Sequence, residues 1–464
     1  MSSTPPIGEQ KSTLPLFFQK RFLPMWTALC LGAFTDNMLK QALSIALVYG
    51  TLTAPFIDND AALPLVGLLF PLPMAIFSTI SGQIADKYET SFLFRRTKFA
   101  EFLLMVLAAI GFLLGNTAIL IATLFLMGVQ SAFFSPVRTS AMPKYLTPGE
   151  LVRGNAFSSG GLFVSVMIGI VLGGMLINQP NGPATVSLVL VLAAFTGWLV
   201  IRMTPQAAPN DPDLKIDWNV FRQVGVLLKY PANSPGVMRP VLGSAWYWTV
   251  GAFVSVAVPI MARDTLYGDE NVTTALMGLF ALGAAIGAVT AAFLAKGRSG
   301  LGFSTGGILL AGTLSIIIFF LAIGVKPPVG ADTYTPATFF KGPREWIMAF
   351  SFLISSAAMA VYAVPLQAAV QRRAPPAIRA RVLAANNFLN AVGAIFGFLL
   401  FLAITQTSLE AKLVFPIVGS AQLVVAAYMF NRRRTQPEGL YDESLTGDEA
   451  PTIDQSLIKE EAPR

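Results

Sequence analysis

The run Phe34-Thr35-Asp36-Asn37-Met38-Leu39-Lys40-Gln41 lies inside an otherwise apolar stretch from about Phe22 to Leu52. At about 100° per residue, Asp36, Asn37, Lys40, Gln41 and Ser44 fall on one side of a helix. Asp36 precedes Lys40 by one turn, the favourable order for an ion pair. A charged, amide-rich stripe on a helix of membrane length avoids lipid. It faces a neighbouring helix or a wet cavity, and so marks a path for a polar group through the bilayer.

The rest of the chain fits that reading. Its 464 residues are 54% hydrophobic and 12% charged, with a mean hydropathy of +0.63, which puts it with polytopic membrane proteins rather than soluble ones. The first twenty residues lack a short apolar core followed by a small-residue cleavage site, so no removable signal peptide is expected. The single cysteine, Cys30, can form no intrachain disulfide. Histidine is absent, which excludes Ser-His-Asp and Cys-His catalysis, His-based metal sites and a His-x4-Asp acyltransferase motif. There is no P-loop and no Gly-x-Gly-x-x-Gly after a strand, so the chain alone is not expected to use ATP, and no cofactor is expected.

Apolar segments recur at roughly 22–52, 62–84, 98–115, 117–145, 149–177, 184–202, 238–262, 272–295, 304–325, 345–371, 377–405 and 411–430. Each can cross a hydrocarbon core that needs about 20 residues. Twelve spans predict an all-α polytopic protein. With the N-terminus inside, inner loops and tails hold 25 of the 32 Lys and Arg. That asymmetry places both termini in the cytoplasm, and it makes the net charge of +7 a topology signal rather than a nucleic-acid footprint.

The expected organisation is a cytoplasmic segment 1–21, a six-helix half 22–203, a linker 204–237, a second six-helix half 238–430 and a disordered tail from about residue 431 to 464. In the linker, Trp218, Phe221, Val224 and Leu228 recur at helical spacing beside Arg222 and Lys229, as in an amphipathic helix on the inner leaflet. The halves echo each other. Ser135-Pro136-x-Arg138, then Pro148 and Arg153-x-Asn155, parallels Val364-Pro365-x-Gln367, then Pro375-Pro376, Arg381 and Asn386, which suggests duplication of a six-helix unit. Thr147-Pro148-Gly149-Glu150 has the form of a capping box, so span five starts there. Nine residues at ~1.5 Å each then lift Arg138 about 14 Å from the inner turn.

After span two the chain reads Gly82-Gln83-Ile84-Ala85-Asp86-Lys87-Tyr88-Glu89, then Phe94-Arg95-Arg96-Thr97-Lys98. This is similar to motif A of the major facilitator superfamily. The resemblance implies that Gly82, Asp86, Arg95 and Arg96 gate the transporter, with the aspartate engaging the basic cluster and an adjacent helix end. Gly32-Ala33-Phe34-Thr35-Asp36-Asn37, Phe134-Ser135-Pro136-Val137-Arg138, Val364-Pro365-Leu366-Gln367 and Asn386-Asn387 resemble the lysophospholipid transporter family within that superfamily. It implies a major-facilitator fold of two six-helix bundles in the bacterial inner membrane. Lysophospholipid would move from the outer to the inner leaflet by alternating access, for re-acylation by a separate acyltransferase.

The residues suit that cargo. Arg138 matches a phosphate, Asp36 an ammonium, and Asn37, Asn155, Asn386 and Asn390 the glycerol and ester oxygens. The expected head-group site is Asp36, Asn37, Lys40 and Arg138, with Gln367 and Asn386 from the second half, and Trp246-Tyr247-Trp248 is a candidate cover. Each has a plainer alternative: Asp36 with Lys40 or Arg138 as an internal lock, Asn386 and Asn390 as glue between helices, the tryptophans as an interfacial belt. Glu101, one turn from Lys98 near the inner surface, is expected to be solvated. Two other functions stay open at this point, a proton-coupled transporter of small molecules using Asp36, and a membrane scaffold for a lipid enzyme.

Overall fold

Prolines and polar caps set many of the helix ends in the computed structural model, which describes residues 16–54, 58–295, 301–374, 379–406 and 413–435. α1 (Leu23–Val48) starts on Pro24. Pro71 splits the second pass into α2 (Asn59–Leu69) and α3 (Pro71–Lys87). Glu89 caps α4 (Thr90–Leu113), accepting from Ser91 N–H at 2.8 Å and Phe92 N–H at 2.6 Å. Asn116 caps α5 (Thr117–Tyr145), which runs on through Pro136. The expected capping box forms: the Thr147 N–H and hydroxyl both donate to Glu150 at 3.0 Å, and α6 (Pro148–Ile177) begins there. α7 (Gly182–Ile201) completes the first half.

After the linker helix α8 (Val220–Asn233) come α9 (Pro235–Asp264), α10 (Glu270–Ala295) and α11 (Leu301–Ala322). A single turn, α12 (Pro336–Phe339), precedes α13 (Pro343–Arg373), α14 (Arg379–Thr405) and α15 (Val414–Thr435). Among the described residues ten spans are long and apolar enough to cross a membrane. α1 and α4, of 26 and 24 residues, have the length as well, but carry the charges. With α2 and α3 as one pass, the described chain crosses twelve times, and both its ends emerge on one side, here called the terminal face. The tail beyond Thr435 lies outside the described residues, as do residues 375–378 with Pro375-Pro376 and the Phe221 side chain.

In the first half α1 packs on α6 and α7, α4 on α5 and α7, and α3 on α5; in the second, α10 and α11 flank α13 while α9 lies on α14. The halves meet where α6 crosses α10 and α14 crosses α2 and α3. Glycine makes those crossings close. A Cβ on Gly174 would stand 2.1 Å from Thr274 Oγ1, and one on Gly67 2.3 Å from the Phe398 ring. These points lie toward the far face, and there Val48 and Leu63 are buried in the second half's hydrophobic core. Toward the terminal face the halves part: the main packing partners of α5 belong to the first half, and Thr139, Asn155, Gln371 and Asn387 are exposed.

The linker is strapped across the terminal ends of α3, α4 and α5. Thr90 N–H donates to Ala207 O, Asn210 and Asp211 N–H to Asp86 O, Tyr145 to Pro205 O, and Lys144 to Ala208 O. α8 then rests on α3, α9 and α14, touching both halves, and Trp218 beside it is 67% exposed, as an interfacial aromatic should be.

Candidate translocation site

Two glycines orient the polar stripe of α1. A Cβ on Gly169 of α6 would come 2.6 Å from Phe34 O, and one on Gly173 2.6 Å from Met38 O, so α1 and α6 touch backbone to backbone along the Phe34–Met38 edge. Asp36 and Lys40 are rotated by about 200° to 240° from Phe34, onto the opposite side. There Asp36 accepts from Ser131 Oγ of α5 at 3.5 Å, and Lys40 lies 3.2 Å from the centre of the Phe70 ring at the α2–α3 break.

The expected ion pair between them does not form among the described residues: Lys40 gives its charge to an aromatic face instead. The stripe is also divided. Asn37 and Gln41 fall on the α6 side, where Asn37 donates to Ala33 O at 2.8 Å and Gln41 is buried with an unpaired Nε2.

The expectation of a solvated Glu101 near the inner surface is overturned, and Lys98 is buried with it. The Lys98 and Glu101 side chains are 1% and 4% exposed and paired at 2.7 Å. Gln130 Nε2 donates to Glu101 at 3.2 Å, Thr35 Oγ1 does so at 3.5 Å, and the Lys98 ammonium lies 4.7 Å from the Phe134 ring centre. The satisfied hydrogen bonds are what make such a burial tolerable. Gly32 is part of the cage, since a Cβ there would meet Lys98 Nζ at 2.4 Å and the Glu101 oxygens at 3.3 and 3.4 Å. Ser131 Oγ lies 3.4 Å from Gln130 Oε1 and 3.5 Å from Asp36 Oδ2, and its one proton serves either, so the buried pair adjoins the acid on α1 through α5. This cluster was missed in the sequence because Lys98 continues a basic run at the start of its span. The available signal was two opposite charges one turn apart in a helix with no length to spare.

Arg138 lies seven residues beyond Ser131 on α5, hence on nearly the same face and about 10 Å nearer the terminal side. It is half-buried and has no hydrogen bond or ion pair among the described residues. It therefore does not neutralise Asp36 directly. Asn155 is exposed on α6, and Gln367 is half-buried on α13. Asn386 and Asn390 are buried, each with its Oδ1 unpaired. They share a stripe of α14 with Gly393 and Gly397, whose missing Cβ atoms would lie 2.4 Å from Ala245 O and Thr249 O of α9. The two amides thus share the face of α14 that packs on α9. Trp248 is exposed, while Trp246 keeps a buried, unpaired Nε1.

At the terminal face, Gly82 has nothing near its Cβ position. Asp86 accepts from Asn210 Nδ2 at 2.6 Å, whereas Arg95 and Arg96 are exposed, with Arg96 over the Phe92 ring. The expected engagement of Asp86 with the arginines is replaced by a hold on the linker, because α4 turns the arginines outward. Glu89 performs the companion task, accepting from Ala207 N–H at 2.8 Å. Its burial alone would raise the carboxyl pKa, but the donors from Ala207, Ser91 and Phe92 outweigh it and hold the group below its usual range.

Twelve passes in two halves, meeting at one face and parting at the other, form a transporter architecture, and the sequence profile described as Major Facilitator Superfamily matches residues 29–398. The chain belongs to the Major Facilitator Superfamily. Among related proteins, this facilitator is 25% identical over 327 residues to the lysophospholipid transporter LplT of Enterobacter sp. (strain 638), covering 69% of this chain and 78% of that one. It is 26% identical over 293 residues to LplT of Escherichia coli O1:K1 / APEC, covering 62% and 70%.

Among solved structures, the facilitator is similar to a peptide transporter POT mutant in complex with alafosfalin, with a TM-score of 0.64 at 16% identity over 88% of this chain and 94% of that one. A bacterial homologue of the iron transporter ferroportin in its inward-facing state gives 0.61 at 15% identity over 89% and 99%. These likenesses establish the fold. The facilitator is accordingly a multi-pass membrane transporter.

Proposed function

We propose that this facilitator carries lysophospholipid from the outer to the inner leaflet of a bacterial inner membrane by alternating access, with both termini cytoplasmic, supplying a separate acyltransferase. The observation that carries the reading is Arg138: a guanidinium with no hydrogen bond or ion pair among the described residues, on a membrane-embedded helix, two turns along α5 from the Ser131 that reaches Asp36, on the side where the halves part. An unpaired cation there favours an anionic visitor, and a phosphate fits its planar fork. Asp36 and Lys40 supply the charges deeper in, and Gln367 lies on the facing half. The names of the LplT relatives support the cargo class. Asp86, Arg95 and Arg96 act in gating, with Asp86 working through the linker.

The test is inward movement of fluorescent lysophosphatidylethanolamine in proteoliposomes. Arg138→Ala is expected to slow it tenfold or more, since a lost charge-assisted contact is worth ~1.5–3 kcal/mol, and Asp36→Ala to slow it for cargo bearing an ammonium. Equal rates in wild type and both variants would remove Arg138 and Asp36 as the head-group site, and a wild-type protein that moves no lysolipid would remove the cargo.

A second reading, proton-coupled transport of small molecules, is favoured by one specific arrangement: Asp36, Ser131, Gln130 and Glu101 stand in a row, and a protonated Asp36 donating to Ser131 Oγ completes a hydrogen-bonded chain to Glu101. It predicts uptake that collapses with the proton gradient and no leaflet exchange of lysolipid.

A further inference from the structure

We infer that Tyr49 and Arg263 are the gate on the far face, a pair of positioning residues that hold the two halves shut there and let go once in every transport cycle. The inference rests on alternating access, which is part of the reading above, and not on the identity of the cargo.

Four described polar contacts cross between the halves through the end of α1. The Tyr49 hydroxyl lies 2.8 Å from Gly268 O and 2.9 Å from Asp269 O, in the turn between α9 and α10, and 2.6 Å from Thr273 Oγ1 in the first turn of α10. Arg263 Nη1 donates to Val48 O at 2.6 Å. Val48 ends α1, so its carbonyl has no partner within the helix and carries the negative end of the helix dipole; a guanidinium there is well placed. Arg263 is itself aimed by Asp264, which accepts from its Nε at 2.6 Å and from Nη2 at 3.1 Å.

The receiving turn is built to keep its shape. Asp269 N–H donates to Tyr334 O at 2.9 Å, Tyr334 N–H donates to Tyr267 O at 2.6 Å, and Asp269 Oδ1 caps α10 through Val272 N–H at 2.9 Å. Tyr267 holds φ at 53°, a left-handed conformation that a tyrosine adopts only when its surroundings impose it. The Tyr49 ring packs on the hydrophobic cores of both halves at once, so the residue is at the same time bolt and hinge plate. On the terminal side α8 and the linker join the halves, which leaves the far-face bonds as the ones that must break for the opposite opening.

These bonds suit a gate better than a permanent seam. They are few and polar, and water can replace each of them once the halves separate, so opening leaves none of these groups unpaired. The apolar contacts behind them, Val48 and Leu63 against the second half, seal the passage without choosing a state.

The experiment uses the full chain with Cys30→Ser and Leu63→Cys, probed with a membrane-impermeant maleimide from the face opposite a protease-accessible terminal tag. Tyr49→Phe keeps the ring and removes the bonds, and Arg263→Gln removes the guanidinium. Each is expected to raise labelling of position 63 about threefold to tenfold, the range for one or two lost hydrogen bonds. Thr273→Val should raise labelling too, and adding it to Tyr49→Phe should change little beyond Tyr49→Phe alone, since the bond it removes is already lost there.

In a second arm, Tyr49→Cys and Thr273→Cys are joined by a reductant-cleavable bis-methanethiosulfonate, which should arrest transport until the reductant is added. Unchanged labelling in variants that retain wild-type thermal stability would overturn the gate, and so would full transport while cross-linked. A wild-type protein that moves no lysolipid would instead overturn the cargo, while the labelling arm, which needs no cargo, still decides the gate.

Discussion

Lys98 donates to Glu101 at 2.7 Å within α4, and Gly32 of α1 is the residue that leaves room for the ammonium. The pair ties α1, α4 and α5 together at the depth where Asp36 enters the path. A buried ion pair is a poor source of net stability, but an expensive one to break. That asymmetry gives the first expectation.

Lys98→Met or Glu101→Leu alone should each destabilise the protein by about 3–5 kcal/mol, because the surviving charge is left buried and unpaired, while the double replacement should cost less than either. Thermal unfolding in detergent with the double-mutant cycle reads this directly. A double variant as weak as the sum of the singles would mean that the two charges do not act as a pair.

Gly32→Ala addresses the same cage from α1. The added methyl meets Lys98 Nζ and both Glu101 oxygens, none of which can withdraw without breaking the pair. The expected cost is ~1–3 kcal/mol from overpacking, lowering the unfolding midpoint, and Gly32→Ala with Lys98→Met should recover part of it. Gly82→Ala is the matched control, with open space at its Cβ, and should be close to neutral.

The rotation of α1 rests on Gly169 and Gly173. Gly173→Val presses a branched side chain onto Met38 O, a backbone atom that cannot step aside. We expect a loss of about 3 kcal/mol or more, at the upper end for overpacking, together with loss of transport as Asp36 and Lys40 turn away from α5. Transport at the wild-type rate in a folded Gly173→Val protein would refute the glycine contact as what aims the stripe.

Acid should loosen the linker strap. Glu89 and Asp217 both sit below their usual range: burial pushes Glu89 up, but its N–H donors prevail, and the Gln223 and Arg222 side chains bring Asp217 to about 2. A carboxyl with a depressed folded pKa stabilises fully above its unfolded value, near 3.9 to 4.3, and the contribution is lost as pH falls through the folded value. Hydrogen exchange over residues 205–219 should therefore stay slow at neutral pH, rise progressively below about pH 4, and lose the part due to Glu89 in Glu89→Gln. Exchange that is independent of pH in the wild type would show that neither carboxylate holds the strap.

Much of the architecture was legible without coordinates because a bilayer imposes a crude and strong rule. Apolar runs of sufficient length, the turn chemistry of Thr147 to Glu150, and the echo of Pro136 and Pro365 follow from composition and spacing, and each reads the same in any packing arrangement. The site was less legible. Periodicity placed Asp36 and Lys40 together, and they do share a face. It could not tell that Lys40 prefers Phe70 to Asp36, or that Asn386 and Asn390 turn to α9.

What the residues alone determined is therefore the number of crossings, the two halves and the presence of charge in mid-membrane, since these depend on local hydrophobicity and on helical spacing within one segment. The pairing of those charges was decided only by the tertiary structure. A hydrogen bond of 3 Å depends on the rotation and depth of two helices far apart in sequence, and here backbone contact at Gly169, Gly173 and Gly32 sets both, at positions where the informative feature is a side chain that is missing.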